Sequence, residues 1–397
     1  MKNTITDLKI DWPSRGHNYD EEDFSKVKSI MLESNSSLSK GKYIEEFEKK
    51  FSKLINRKSL STMSGAHALD IAANLIEASL EDEIIIPAHT YCATALPFLR
   101  SKSVIKWADI NRDSFTVSLN SIKSLTTDKT KAIVVVHLYG LICPEIHKIK
   151  EFAKSKNIFL IEDCAQSLGA RIENDHCGSF GDIACFSFHS QKNITTLGEG
   201  GMISVNNENF FEKIKNFRHN GHTPFLNQTE YWLPAMVDVK LIDKNVIPFK
   251  STLTEIQGAL GSNLLYKLDE FTFKRRKLSK EIREKLNVCI NLKFQKFEIE
   301  SSHSHHLLPA RCISSKWNRD DLIKILYEKY KIKCVIQYYP LNRYDLFKNL
   351  CCEQNNLIET DSFFDNMISF PFSITLSSEQ IKYLTSSIIE AIEILEK

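Results

Sequence analysis

Between Lys42 and Leu265 short apolar runs, many of them β-branched, alternate with segments of helical periodicity, and this alternation constrains the fold more than any other feature of the chain. A run that is apolar on both faces must be covered on both faces, which a parallel sheet joined by crossover helices achieves. Strands are expected at Glu83 to Ile86, Ala132 to His137, Ile158 to Asp163, Ile183 to Phe188 and Met202 to Val205, with a crossover helix from Pro144 to Lys156. The class is α/β.

From Tyr266 to Leu286 runs a charged helical pattern without Gly or Pro, after which the alternation weakens. The domain boundary is placed there: residues 1–265 form an N-terminal arm and a large domain, and residues 266–397 a smaller C-terminal domain of mixed α+β character. In the second part a strand-like run at Ile332 to Tyr338 precedes a proline step at Pro340, and a helix capped by Ser377 and Ser378 closes the chain.

Composition excludes several functions. Lysine and arginine number 52 against 50 acidic residues, so the formal charge of +2 gives no general attraction to nucleic acid or an acidic membrane. The ten cysteines lack paired C-x-x-C spacing and read as reduced thiols rather than zinc ligands or disulfides. No apolar stretch reaches membrane-span length and Met1 to Asp11 lack a signal-peptide core, so a cytoplasmic location is expected. His303, His305 and His306 have no carboxylate or cysteine partner nearby in sequence, and no metal is assigned to them.

The densest cluster of chemically useful residues runs from Phe186 to Gly201, where a strand ends in a loop carrying Lys192 and glycines at 198, 200 and 201. Glycines permit close backbone approach, and a lysine amine of lowered pKa can form a Schiff base, although a lone lysine in a turn is usually solvated. A second cluster ends the strand at Ile158 on Glu162, Asp163 and Gln166. Ligands of open α/β sheets sit at the carboxyl ends of strands, and an Asp there can keep a pyridine nitrogen protonated; the same pair also suits a helix cap or a metal. Together the two clusters favour pyridoxal phosphate. Ser64, Gly65, Ala66 and His67 precede a helical pattern, making a phosphate site or plain capping, and without a following G-K-[ST] they are no nucleotide-triphosphate loop. Tyr91 lies just past a strand, where its ring can stack on a planar cofactor or pack in the core.

In order and spacing these motifs resemble the DegT/StrS family of pyridoxal-phosphate sugar aminotransferases over nearly the whole chain. The matching segments are Gly41 to Glu48, Ser64-Gly65, Asp82 to Thr94, Trp107 to Ile110, His137 to Gly140, Glu162 to Gln166, Phe186 to Gly201 and Thr254 to Gln257. The resemblance implies a type I, aspartate aminotransferase-like fold and a homodimer with active sites between subunits. It implies that Lys192 joins the cofactor as a Schiff base, that Asp163 binds the pyridine nitrogen and Gln166 the ring hydroxyl, and that Tyr91 stacks on the ring. Ser187 with the Gly65, Ala66 and His67 amides would hold the phosphate. Ala66 departs from the family's usual threonine, and Lys250 stands where the partner subunit usually offers asparagine; there its charge would serve the cofactor phosphate or an anionic substrate.

The resemblance further implies transfer of an amino group from glutamate to a keto-sugar, in surface polysaccharide synthesis of the lipopolysaccharide or O-antigen type. The segment from Arg218 to Pro234 is similar to the 8-amino-3,8-dideoxy-octulosonate transaminases, whose substrate carries a carboxylate and no nucleotide. His189, Arg218, His219 and His222 are then substrate-binding candidates, the last three with Lys250 serving either as carboxylate partners or as solvated charges. Competing readings are a nucleotide-linked keto-hexose aminotransferase, a sugar 3-dehydratase of the same family, and a non-catalytic sensor or scaffold. Lys192 argues against the dehydratase, in which histidine replaces it, and the intact Lys192, Asp163 and Gln166 argue against the scaffold.

Overall fold

The computed structural model describes residues 7–33, 38–39, 41–221, 248–350, 352–353 and 356–397. Its centre is a sheet of seven strands, β1 (Lys58–Thr62), β2 (Glu83–Pro87), β3 (Val104–Ala108), β4 (Thr130–Val136), β5 (Phe159–Asp163), β6 (Ile183–Ser187) and β7 (Gly201–Val205). Their order is β1-β7-β6-β5-β4-β2-β3, with the two-residue strand Cys352–Glu353 added beside β3. β7 runs antiparallel to both neighbours, and the other pairings are parallel. All five strands read from the sequence are present, as is the crossover helix, at Ile146–Ser155.

The two-residue period of a strand sends successive side chains into different cores. Along β4, Ile133 and Val135 join Phe47 and Phe51 on one face, whereas Ala132 and Val134 join Ile84 and Trp107 on the other. Both sets are buried, which explains the runs of apolar residues without polar interruption.

The helix expected from Tyr266 to Leu286 is present; two helices meet at Lys267, Glu255–Tyr266 and, matching that pattern, Leu268–Lys285. The second begins in the larger core with Leu268 and Phe271 and ends in a separate one with Leu278 and Ile282. That second core covers an antiparallel sheet of Leu292–Phe294, Leu308–Cys312 and Met367–Phe370, and Ile10 from the N-terminal arm packs into it. The closing helix, Ser378–Glu396, starts with Ser377 and Gln380 capping each other reciprocally.

Ile332 to Tyr338 is not a strand. Among the described residues only single bridges form, Ile332 with Ile10 and Val335 with Ser369, and the chain then carries Gln337 and Tyr338 into the wall of the central cavity instead of continuing a ladder. No described helix is long and apolar enough to cross a membrane.

Candidate active site

The carboxyl ends of β4, β5 and β6 open on a cavity of about 840 Å³. The pleat of β5 separates its last two carboxylates. Asp163 faces the cavity, where its Oδ2 accepts the Thr94 hydroxyl at 2.8 Å and its Oδ1 the Ala165 amide at 3.0 Å. Glu162 turns away and is fully buried. Its carboxylate accepts the amides of Gly178 (2.9 Å), Phe180 (2.7 Å) and Gly181 (2.5 Å), and His137 Nε2 lies 2.8 Å away. Burial opposes its charge, but His137, the Gly181 amide and the Arg57 guanidinium hold it below the usual carboxylate range.

Among the described residues, His137, Glu162 and Cys164 lie close enough together to suggest a metal. Their donor atoms are otherwise engaged: His137 Nδ1 accepts the Cys143 amide at 3.1 Å, and burial pushes the Cys164 thiol well above its ordinary value, away from the thiolate a metal needs.

A helix N-terminus forms another wall. Ser64 caps the helix Gly65–Leu75 by accepting the His67 amide at 3.2 Å, and its hydroxyl also lies 3.0 Å from His67 Nδ1. The amides of Gly65 and Ala66, in the first turn, have no intrahelical acceptor, which is the arrangement that suits a phosphate. Gly65 is required by contact: a Cβ there would lie 2.8 Å from that of Ser187 at the end of β6.

Lys192 lies beyond β6 in a loop fixed on several sides. Ser190 donates to Gly198 and Thr196 to Phe188 through the backbone, while the Gln257 side chain donates to the Thr196 and Glu199 carbonyls. Gly198 has φ of +117°, a region that favours glycine. From the other side the N-terminal arm closes over the loop, Gly16 donating to the Ser190 carbonyl. Burial lowers the Lys192 amine below the ordinary lysine value, against the opposing pull of Asp163 and Glu199.

Lys192, Asp163, Gln166, Ser187, Gly65, Ala66, His67, Tyr91, His189 and Lys250 all line this cavity. Lys250, expected from the family pattern at the partner's site, lies on the wall of its own chain's cavity, its backbone bridged to His219. Two candidates stand elsewhere. Arg218 turns to Glu48 (2.5 Å) and the Ser61 carbonyl (2.8 Å), and neither it nor His219 lines the cavity. Arg218 is held there because Glu48 is itself only 8% exposed and requires a cation. His222, with Tyr231, Trp232 and Pro234, lies outside the described residues.

The sequence reading missed Tyr338. Gln166 Oε1 accepts the Tyr139 amide at 2.7 Å, and its Nε2 donates to the Tyr338 hydroxyl at 2.9 Å. The Tyr91 and Tyr338 rings meet edge to face with centroids 6.0 Å apart. No local motif marks this position, which reaches the cavity from 172 residues beyond Gln166.

The model of the DegT/DnrJ/EryC1/StrS aminotransferase family matches residues 17–389. GDP-perosamine synthase of Escherichia coli O157:H7 is 30% identical over 90% of this chain and 93% of its own. The UDP-N-acetyl-3-dehydro-alpha-D-glucosamine 3-aminotransferase of Acidithiobacillus ferrooxidans is 28% identical over 82% of each chain. Helicobacter pylori PseC, an aminotransferase involved in the biosynthesis of pseudoaminic acid, superposes with a TM-score of 0.86 at 24% identity, covering 96% of this chain and 99% of that one. The architecture is thus the type I fold expected from the motifs. With its match running through both cores and the lysine loop, the chain belongs to the DegT/DnrJ/EryC1/StrS aminotransferase family.

Proposed function

We propose that this chain is a pyridoxal-phosphate-dependent aminotransferase that moves an amino group from glutamate to a nucleotide-linked keto-sugar, on the way to a surface polysaccharide. The observation that carries the reading is the convergence of Lys192, Asp163 and an open helix N-terminus on one cavity. The residues suit the cofactor: Asp163 for the pyridine nitrogen, Gln166 for the ring hydroxyl, Tyr91 for the ring face, and the Gly65 and Ala66 amides with Ser187 for the phosphate. When bound, pyridoxal phosphate supplies an aldehyde to carry the amino nitrogen and a pyridine ring to accept electrons.

The protein's part is positioning and proton movement. Asp163, oriented by Thr94 and the Ala165 amide, holds a proton on the ring nitrogen by its negative charge. The Lys192 amine, less basic than a solvated lysine, takes and returns the proton at the substrate carbon. We assign the chain to a homodimer with two lobes, residues 1–265 and 266–397, and to a cytoplasmic setting.

Two relatives named for GDP- and UDP-linked sugars favour a nucleotide-linked substrate over the eight-carbon sugar acid. The test has two stages. Protein given pyridoxal phosphate should turn yellow and, after borohydride, carry the cofactor mass on the peptide of Lys192; colourless protein with no added mass would refute the cofactor assignment. Glutamate with a panel of GDP-, dTDP- and UDP-linked keto-hexoses and free keto-sugar acids should release 2-oxoglutarate with a nucleotide-linked member. Release only with the octulosonate derivative would transfer the assignment to that subgroup.

A further inference from the structure

The helix Leu268–Lys285 also borders a recess of about 1090 Å³ that shares no lining residue with the catalytic cavity. Arg276, Ser279, Lys280 and Arg283 line it together because spacings of three, four and seven residues fall on one helix face. Phe273, 66% exposed, joins them one turn before Lys277, and the segment from Leu286 to Phe297 adds the rings of Phe294 and Phe297.

The recess is cationic. Arg276, Lys277, Lys280, Arg283 and Lys293 line it against two carboxylates, Glu284 and Glu300, a local excess of positive charge in a chain whose formal charge is only +2. Lys280 lies 3.9 Å from Glu284, and among the described residues none of the other four cations forms an ion pair. Glu300 lies 3.8 Å from His305 and acts on Arg276 and Arg283 from a greater distance.

Two groups keep hydrogen-bonding capacity. The Arg283 guanidinium stands over the Phe294 and Phe297 rings, 5.6 and 4.9 Å from their centroids. Among the described residues its one hydrogen bond runs from Nη2 to the Gln295 carbonyl at 3.1 Å, out of five donors. Ser279 is fully buried, and its Oγ has no hydrogen-bond partner among those residues, a costly state that a ligand in the recess would relieve.

Cations with unspent donors suit phosphate oxygens, and phenyl rings suit a planar base. Buried Ser279, Leu286, Leu292 and His305 make the recess concave, and its volume lies near the top of the roughly 300–1,000 Å³ usual for small-molecule sites. One segment joins it to the catalytic cavity. Arg276 Nε donates to the His303 carbonyl at 3.0 Å, and the His303 and His305 rings stack with centroids 3.8 Å apart. In the same segment the Ser304 hydroxyl donates to the Gln166 carbonyl at 3.2 Å, and His306 Nδ1 lies 3.2 Å from Asn193 Oδ1, next to Lys192.

We propose that the recess binds a nucleoside diphosphate as an effector, its phosphates on Lys277, Lys280 and Arg283 and its base against Phe273, and that the segment from His303 to His306 couples it to Gln166 and the Lys192 loop. The binding site stands apart from the aminotransferase reading, and the effector role rests on it.

The test titrates GDP and inorganic pyrophosphate calorimetrically into the holoenzyme and follows the glutamate half-reaction by absorbance. GDP binding should include a component that Lys277→Gln/Lys280→Gln, altered at two exposed positions, weakens about tenfold, and that Lys250→Met at the catalytic cavity leaves within about twofold. Phe273→Ala should weaken GDP about fivefold and leave pyrophosphate unchanged. Saturating GDP should change the half-reaction rate about twofold or more in the parent through this recess, so that the change is lost in the double variant, whose rate without GDP stays that of the parent. GDP affinity unaltered in the double variant would overturn the proposal by confining the nucleotide to the catalytic cavity. GDP affinity unaltered in Phe273→Ala would overturn the nucleoside assignment in favour of phosphate alone, and a GDP response that persists in the double variant, or none in the parent, would overturn the effector role. A holoenzyme that glutamate leaves spectrally unchanged would instead sink the aminotransferase reading, and the GDP titration would still report on the recess.

Discussion

The two faces of the sheet at the end of β5 receive neighbouring carboxylates and put them to different uses. Glu162 enters a region where three backbone amides, His137 and Arg57 converge, so that its charge fastens the loop from Gly178 to Gly181 against the strand. Asp163 enters a region where, among the described residues, only Thr94 and one amide are its partners, on a cavity wall. A carboxylate whose acceptor positions are filled by its own chain serves stability; one with capacity left toward a cavity is available to a ligand.

That contrast can be broken from either side, and the largest effect is expected at the cavity face. Asp163→Ala should cut turnover by roughly 10²–10³-fold, as losing a preorganised electrostatic partner does, while thermal unfolding shifts little. A large drop in melting temperature would place Asp163 with Glu162 as a structural group. Glu162→Gln should destabilise the fold by about 3–5 kcal/mol, because it leaves amide donors and His137 facing a neutral, partly donating side chain. The same group gives a pH signature. Its folded-state pKa is lowered, so its contribution is complete above the unfolded-chain value of about 4.3 and is lost as pH falls further. Acid unfolding followed by circular dichroism should therefore be shallower in Glu162→Gln than in the parent; identical acid limbs would remove Glu162 from the account.

Smaller effects sharpen the same distinction among the cations. Arg218→Ala should cost about 1–3 kcal/mol by leaving Glu48 buried without its partner, with the keto-sugar KM unchanged. A KM increase without loss of stability would restore Arg218 to the substrate. Lys250→Met, at an exposed position on the cavity wall, should leave stability within about 0.5 kcal/mol and weaken cofactor phosphate or anionic substrate several-fold. Unchanged cofactor affinity together with unchanged substrate KM would return Lys250 to the solvated surface.

What could be read in advance depended on how far apart in the chain the interacting residues stand. The strands of the large sheet were legible because burial on both faces leaves a contiguous apolar signature, as in Ile133 to Val136. Lys192, Asp163 and Gly65 were legible because strand-end residues and helix caps keep their chemistry within a few positions. Ile332 to Tyr338 misled for the same reason: its apolar residues fill an irregular segment stitched to Ile10 and Ser369, and periodicity does not distinguish that from a ladder. Arg218 misled because a cation beside a candidate pocket looks the same in sequence whether it faces a ligand or, as here, Glu48.

The sequence by itself determined the α/β class, the lysine loop and the strand-end aspartate, since each is fixed by local periodicity or by neighbours a few residues away. Only the tertiary structure decided which face each carboxylate of β5 occupies in the assembled site, that Tyr338 meets Gln166, and that the buried Arg275 donates to the carbonyls of Gly16, His305 and His306. Those outcomes depend on packing between segments up to hundreds of residues apart, where burial and electrostatics are set by the neighbours that the fold brings in.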